Sequence, residues 1–126
     1  MITVGIVTFR TDLAVLKATI SSLRACTLPI NLVIIDNTPE DAYFWLLKQE
    51  TGERCIRSGA NKGYGFGHNL AVTHLPNDPY HLVLNPDVIL HPGCLEAMVN
   101  MMELAPDVGL ATPKMLSVDG TLQPLN

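Results

Sequence analysis

No run of basic residues occurs anywhere in this chain of 126 residues. Its eight Lys and Arg are scattered against twelve Asp and Glu, leaving a formal charge of −4. Binding to a phosphate backbone depends on clustered cations, so this composition argues against a nucleic-acid partner. Paired cysteines are missing too. Cys26, Cys55 and Cys94 lie far apart with no Cys-x-x-Cys among them, which excludes a disulfide scaffold or a cysteine zinc site and fits reduced thiols in a cytosolic protein. Cys26 and Cys94 fall in apolar helical stretches and are expected to fill the core. No apolar stretch approaches the ~20 residues that cross a bilayer. The opening Met1-Ile2-Thr3-Val4-Gly5-Ile6-Val7 has neither the basic region nor the cleavage site of a signal peptide. The expectation is a soluble, cytoplasmic domain, with a location at a membrane surface left open.

What is present suits one compact globular domain, 48% hydrophobic and 16% charged. Apolar strands alternate with helical patterns. Ile2–Thr8 is β-branched and reads as a buried strand. Thr11 and Asp12 are N-cap candidates for a helix carrying Leu13, Leu16, Ile20 and Leu23 at spacings of three and four. Pro29 closes that connection, and Asn31–Asp36 is a second buried strand. Pro39 suits the first turn of a helix through Tyr43, Trp45 and Leu47. A weaker strand is expected near Arg54–Ser58, a helix over Gly67–Leu75, and a strand over Tyr80–Leu84. Pro92 opens a further helix with Leu95, Met98 and Met102 on one face, stopped at Pro106. Val108–Thr112 reads as another strand, and Asp119-Gly120 as the turn of a hairpin. Continuous apolar strands alternating with helices predict an α/β fold with a Rossmann-like, doubly wound, mainly parallel sheet.

In a parallel sheet all strand C-termini share one edge, where ligands bind at the switch in strand order. Three polar strand ends meet there: Thr8-Phe9-Arg10, Asp36-Asn37-Thr38 and Asn85-Pro86-Asp87. Asn85-Pro86-Asp87 taken alone is ordinary turn chemistry. Its carboxylate oxygen also suits a hard cation such as Mg²⁺ or Mn²⁺ that could bridge to a diphosphate. Asp36 reads either as a turn cap or as an acceptor for a base N–H or a ribose hydroxyl. Arg10 is either a solvated loop residue or a phosphate contact.

The segment Asn61-Lys62-Gly63-Tyr64-Gly65-Phe66-Gly67-His68-Asn69 places three alternate glycines before a helix, where close backbone approach and free N–H groups are available. It is not the dinucleotide fingerprint, which is spaced Gly-x-Gly-x-x-Gly and follows the first strand. Nor is it a Walker A loop, because Lys62 precedes the glycines. His68 reads as a solvent-facing residue of the first helical turn or as a ligand contact. A receiver-like regulator would carry an acidic pair after the first strand, and a nucleotidyltransferase a glycine-rich loop there. This chain has Thr8-Phe9-Arg10 instead.

The succession TFR, VIIDNT, NKGYGFGHN, LVLNPDV and DGTLQPL, from Ile2 to about Leu125, resembles glycosyltransferase family 2, most of all its bacterial rhamnosyltransferase-like members. The resemblance implies a GT-A fold, a nucleotide-binding half joined to an acceptor-binding half. The family's Asp-x-Asp metal motif would correspond to Asn85-Pro86-Asp87, with Asn85 in place of the first acid and Asp87 holding Mg²⁺ or Mn²⁺. Asp36 would recognise the base, Thr8 and Phe9 would line the same pocket, and Asn61 with Gly65 of the glycine segment would lie beside the nucleotide.

It further implies inverting transfer of a sugar, with rhamnose from dTDP-rhamnose as the donor, to a cell-surface glycan or lipid-linked acceptor. The full-length enzyme would be cytoplasmic or peripheral to the membrane. The family's catalytic base lies well beyond the metal motif, in the acceptor half, so the base is expected outside residues 1–126 and the chain is expected to be the donor-binding part only, without transfer activity by itself. A non-catalytic nucleotide-sugar-binding module is the alternative. The C-terminal segment from Val108 to Leu125 is expected to leave an apolar strand edge bare and to support a two-fold homodimer.

Overall fold

The structure, a computed structural model, describes residues 1–75, 77–117 and 119–123. The chain divides into two units, Met1–Leu90 and His91–Asn126.

The first unit is built on a parallel sheet. Strand β1 (Ile2–Thr8) pairs with β2 (Ile30–Asp36) on one side and with β4 (Tyr80–Leu84) on the other, and β3 (Cys55–Arg57) extends the sheet beyond β2, giving the order β3-β2-β1-β4. All seven residues of β1 are buried. That is the reason for its run of β-branched residues, interrupted only by Gly5: a central strand in a doubly covered sheet has no solvent face to leave polar. Chain order moves outward from β1 to β2 to β3 and then returns across β1 to β4. Right-handed crossovers therefore put helix α1 (Leu13–Arg24) and helix α2 (Asp41–Thr51) on one face, and α3 (Tyr64–His74) on the opposite face. The reversal in strand order lies at β1, between β2 and β4, the kind of position at which open α/β sheets leave a crevice at their strand C-termini.

Local signals account for the helix limits. The Asp12 carboxylate caps α1 by accepting from the Val15 amide at 3.0 Å. Leu16, Thr19, Ile20 and Leu23 form its buried stripe. Helix α2 starts at Asp41, two residues after Pro39, and ends at Gly52, whose φ of 65° supplies the left-handed C-terminal cap. Helix α3 begins at Tyr64, three residues earlier than expected, so Gly65 and Gly67 lie inside it and only Gly63 (φ 95°) precedes it. Packing explains this difference. A Cβ on Gly67 would lie 2.7 Å from Val7 Cγ2, so α3 comes closer to β1 than any side chain at that position would allow. Val7, Val33, Ile35 and Ala71 form the core between α3 and the sheet, with Ile56, Leu70 and Leu75 packed around it.

The second unit contains helix α4 (Cys94–Leu104) and a two-stranded antiparallel ribbon, β5 (Met115–Leu116) with β6 (Leu122–Gln123). The expected turn at Asp119-Gly120 is present: Gly120 takes φ 87°, and the Asp119 carboxylate accepts from the Thr121 amide at 3.0 Å and its hydroxyl at 2.7 Å. Val118 and residues 124–126, which fall in the hairpin segment, lie outside the described residues.

The strand expected at Val108–Thr112 is not formed. No described strand pairs with it, Gly109 interrupts the run, Pro113 can donate nothing to a ladder, and Leu110 is 83% exposed. That strand therefore contributes no edge, while the β5–β6 ribbon of the same segment leaves Leu116 and Leu122 exposed. Cys26 and Cys94 are likewise only partly buried, one just past the end of α1 and the other opening α4, so neither is a core filler.

Candidate functional site

The C-terminal ends of β1, β2 and β3 surround a cavity of about 310 Å³. Phe9 from the end of β1 forms one wall, Asn37, Thr38 and Pro39 after β2 another, and Arg57, Gly59, Ala60 and Asn61 after β3 the third. Asp36, the last residue of β2, immediately precedes the Asn37–Pro39 wall. That residue is 1% exposed, and its Oδ1 accepts from the Thr8 hydroxyl at 2.9 Å and from the Thr38 amide at 3.2 Å. Its Oδ2 is buried without a partner, as is Oδ1 of the adjoining Asn37. Asn37 is held by its own amide, which donates to the Gly63 carbonyl at 3.3 Å. Leaving a buried carboxylate oxygen unpaired is costly, on the order of 1–3 kcal/mol or more for a charged group.

Of the expected pocket residues, Phe9 and Asn61 line the cavity. Thr8 is fully buried with its hydroxyl engaged by Asp36, so it holds the carboxylate in place. Arg10 adopts φ 51°, a left-handed conformation costing about 1–2 kcal/mol for a residue with a side chain. Its amide donation to Thr38 Oγ1 at 2.8 Å and the pairing of its guanidinium with the Glu40 carboxylate fix that turn. The same hydrogen bond raises the Arg10 pKa and lowers that of Glu40. Arg10 lies over the Phe9 ring at 5.0 Å, outside the cavity lining. An exposed pair of this kind contributes only about 0–1 kcal/mol, so an arriving phosphate could displace Glu40 at small cost.

Asn85 and Asp87 lie beyond the end of β4, both exposed. With strands about 4.8 Å apart, β4 is roughly 10 Å from β2 across the sheet, so they form a second locus beside the Asp36 pocket. Asn85 Oδ1 accepts from the hydroxyl of Tyr64, the first residue of α3. Burial, and then the field of Asp87, raises the Tyr64 pKa. Gly65, one residue on, faces open space. Among the described residues no three His, Cys, Asp or Glu side chains cluster as metal ligands. Magnesium nevertheless commonly binds through one or two carboxylates plus substrate phosphates, and an exposed Asp87 supplies such a carboxylate.

Sequence reasoning missed Arg57 and Tyr64. Arg57 ends β3 in register with Asp36, and its guanidinium donates to the Pro39 carbonyl at 3.1 Å, pairs with Asp41 and stacks over Phe44 at 5.5 Å. The weak strand near Arg54–Ser58 was the available signal.

His68 is neither solvent-facing nor in the cavity. It is 6% exposed and packed against β1, where a Cβ on Gly5 would lie 3.2 Å from its Nδ1. Both ring nitrogens lack partners. Helix α3 turns its Gly67-His68-Ala71 side to the sheet, which carries His68 inward with it. Burial, and then neighbouring His81, lowers the His68 pKa to about 4.

Residues 3–122 match the family model described as "Glycosyl transferase family 2". The chain is 27% identical, over 111 aligned residues, to N-acetylglucosaminyl-diphospho-decaprenol L-rhamnosyltransferase of Mycobacterium tuberculosis, in strains CDC 1551 / Oshkosh and H37Rv. That alignment covers 76% of this chain and 35% of theirs, so the chain spans about a third of the length of these curated relatives. Among solved structures, S. aureus TarS 1-349 superposes with a TM-score of 0.65 at 14% identity, covering 82% of this chain and 32% of that one. A second TarS crystal structure gives 0.64, also at 14% identity, over 82% of this chain and 19% of its own. At that identity the likeness is one of fold.

Proposed function

The chain belongs to glycosyl transferase family 2, and from that premise we propose that Met1–Leu90 binds the nucleoside diphosphate of a sugar donor, with dTDP-rhamnose as the donor itself. The observation that carries this reading is the unpartnered Asp36 oxygen next to the Asn37–Pro39 wall of the cavity at the C-terminal edge of the sheet. At 310 Å³ the cavity is at the small end of ligand sites and suits a nucleoside. Asp36 accepts a base N–H or a ribose hydroxyl, and Phe9 offers a face for stacking. The diphosphate and sugar run from there across β1 toward Asn85 and Asp87. Asp87 would hold a divalent cation, Mg²⁺ or Mn²⁺, which when bound offsets the charge of the departing diphosphate. Rhamnose is supported by the name of the mycobacterial relatives.

In the whole enzyme the transfer is inverting. A hydroxyl of a glycan or lipid-linked acceptor forms a bond to the anomeric carbon from the face opposite the diphosphate. The sugar–phosphate C–O bond breaks, the nucleoside diphosphate leaves with those electrons, and a carboxylate base takes the hydroxyl proton. A lipid-linked acceptor places this chemistry at the cytoplasmic surface of a membrane. No helix among the described residues is long and apolar enough to cross one.

The test is calorimetric titration of the chain with thymidine, dTDP and dTDP-rhamnose, each with and without Mn²⁺. Binding of thymidine independent of metal, and of dTDP strengthened by metal, is expected. Failure of all three to bind would refute the reading.

A further inference from the structure

The Tyr64–Asn85 contact engages the oxygen end of the Asn85 amide. Tyr64 is anchored at both ends: its ring stands edge-on to His68, with centroids 4.2 Å apart, and its hydroxyl donates to Asn85 Oδ1. His68 is itself held in the interior against β1. The tyrosine is thus braced from the core outward to the tip of β4. An amide carries its acceptor and its donors at opposite corners of one plane. With the oxygen engaged by Tyr64, the NH₂ is the end of the amide left for a ligand. Hard cations take oxygen, and a proton already aimed at this oxygen weakens its pull on one.

We propose that Tyr64 is a positioning residue that makes Asn85 a hydrogen-bond donor to the diphosphate, leaving Asp87 as the carboxylate for the metal. This rests on the nucleotide-binding reading above. Two consequences separate it from a role for Asn85 as a metal ligand. Asn85 acts on the diphosphate whether or not metal is present, whereas Asp87 acts only with it. Replacing the NH₂ by a second carboxylate oxygen sets negative charge against phosphate.

Calorimetry on the chain with dTDP and with thymidine, in Mn²⁺ and in chelator, tests this. Tyr64→Phe keeps the ring on His68 and removes only the hydroxyl. It is expected to weaken dTDP about tenfold in both buffers, as Asn85 loses its hold and its hydrogen bond to the diphosphate weakens, while thymidine affinity stays unchanged. Asn85→Asp is expected to weaken dTDP in both buffers. Unchanged dTDP binding by Tyr64→Phe overturns the inference, and so does tighter Mn²⁺-dependent binding by Asn85→Asp. Wild-type chain that binds neither thymidine nor dTDP refutes the underlying function instead, which keeps the two failures apart.

Discussion

Replacing Asp36 by asparagine separates its two jobs, because Oδ1 and Oδ2 do different things. Oδ1 holds the β1 and β2 ends together through the Thr8 hydroxyl and the Thr38 amide. Oδ2 has no partner. Asparagine retains an oxygen for the two internal donors and presents NH₂ where the free carboxylate oxygen stood. The fold should therefore survive, with a thermal midpoint close to wild type. A nucleoside donor arriving at that position would instead meet another donor. Loss of a hydrogen bond to a charged group costs about 1.5–3 kcal/mol, or roughly one to two decades in Kd.

Asp36→Ala should add a stability loss, since it strands the buried Thr8 hydroxyl and Thr38 amide at about 1–3 kcal/mol each. Calorimetry with thymidine, paired with urea unfolding of each variant, gives both numbers. Equal thymidine affinity in wild type and Asp36→Asn would refute the reasoning. Asp36 would then be a cap for the strand ends and nothing more.

Asp87→Asn should weaken dTDP only when Mn²⁺ is present, and calorimetry showing equal metal-dependent affinity would remove Asp87 as the ligand. Gly67→Ala should cost about 1–3 kcal/mol in urea unfolding, because its Cβ would lie 2.7 Å from Val7 Cγ2. Gly65→Ala, which meets nothing within 4 Å, should be neutral or stabilising by roughly 0.5–1 kcal/mol. His68 has a folded pKa of about 4 against an ordinary 6.5, so the unfolded chain takes up its proton first. Its contribution is complete above pH 6.5 and is lost as pH falls toward 4, about 3 kcal/mol in all. His68→Leu should flatten stability against pH in that window, as followed by urea midpoints.

The strands and helices of Met1–Leu90 were legible in the sequence because their determinants are local. The strand run Ile2–Thr8 and the cap at Asp12 act within a few residues of themselves. The meeting of Thr8, Asp36 and Asn85 at one edge was also legible, since parallel strands joined by right-handed crossovers must end together. What distance along the chain conceals, the tertiary structure decided. The three glycines read as a close-approaching segment ahead of a helix, but two of them lie inside α3, and Gly67 is there because α3 presses on Val7, a contact no local pattern reveals. The inward turn of His68 follows from that same packing. Val108–Thr112 has the composition of a strand without a partner strand to complete its hydrogen bonds. Arg57 enters the site only through its register with Asp36, and Tyr64 only through reaching Asn85. Local physics wrote the elements. Packing between distant residues determined which side chains reach the site and which atoms they present.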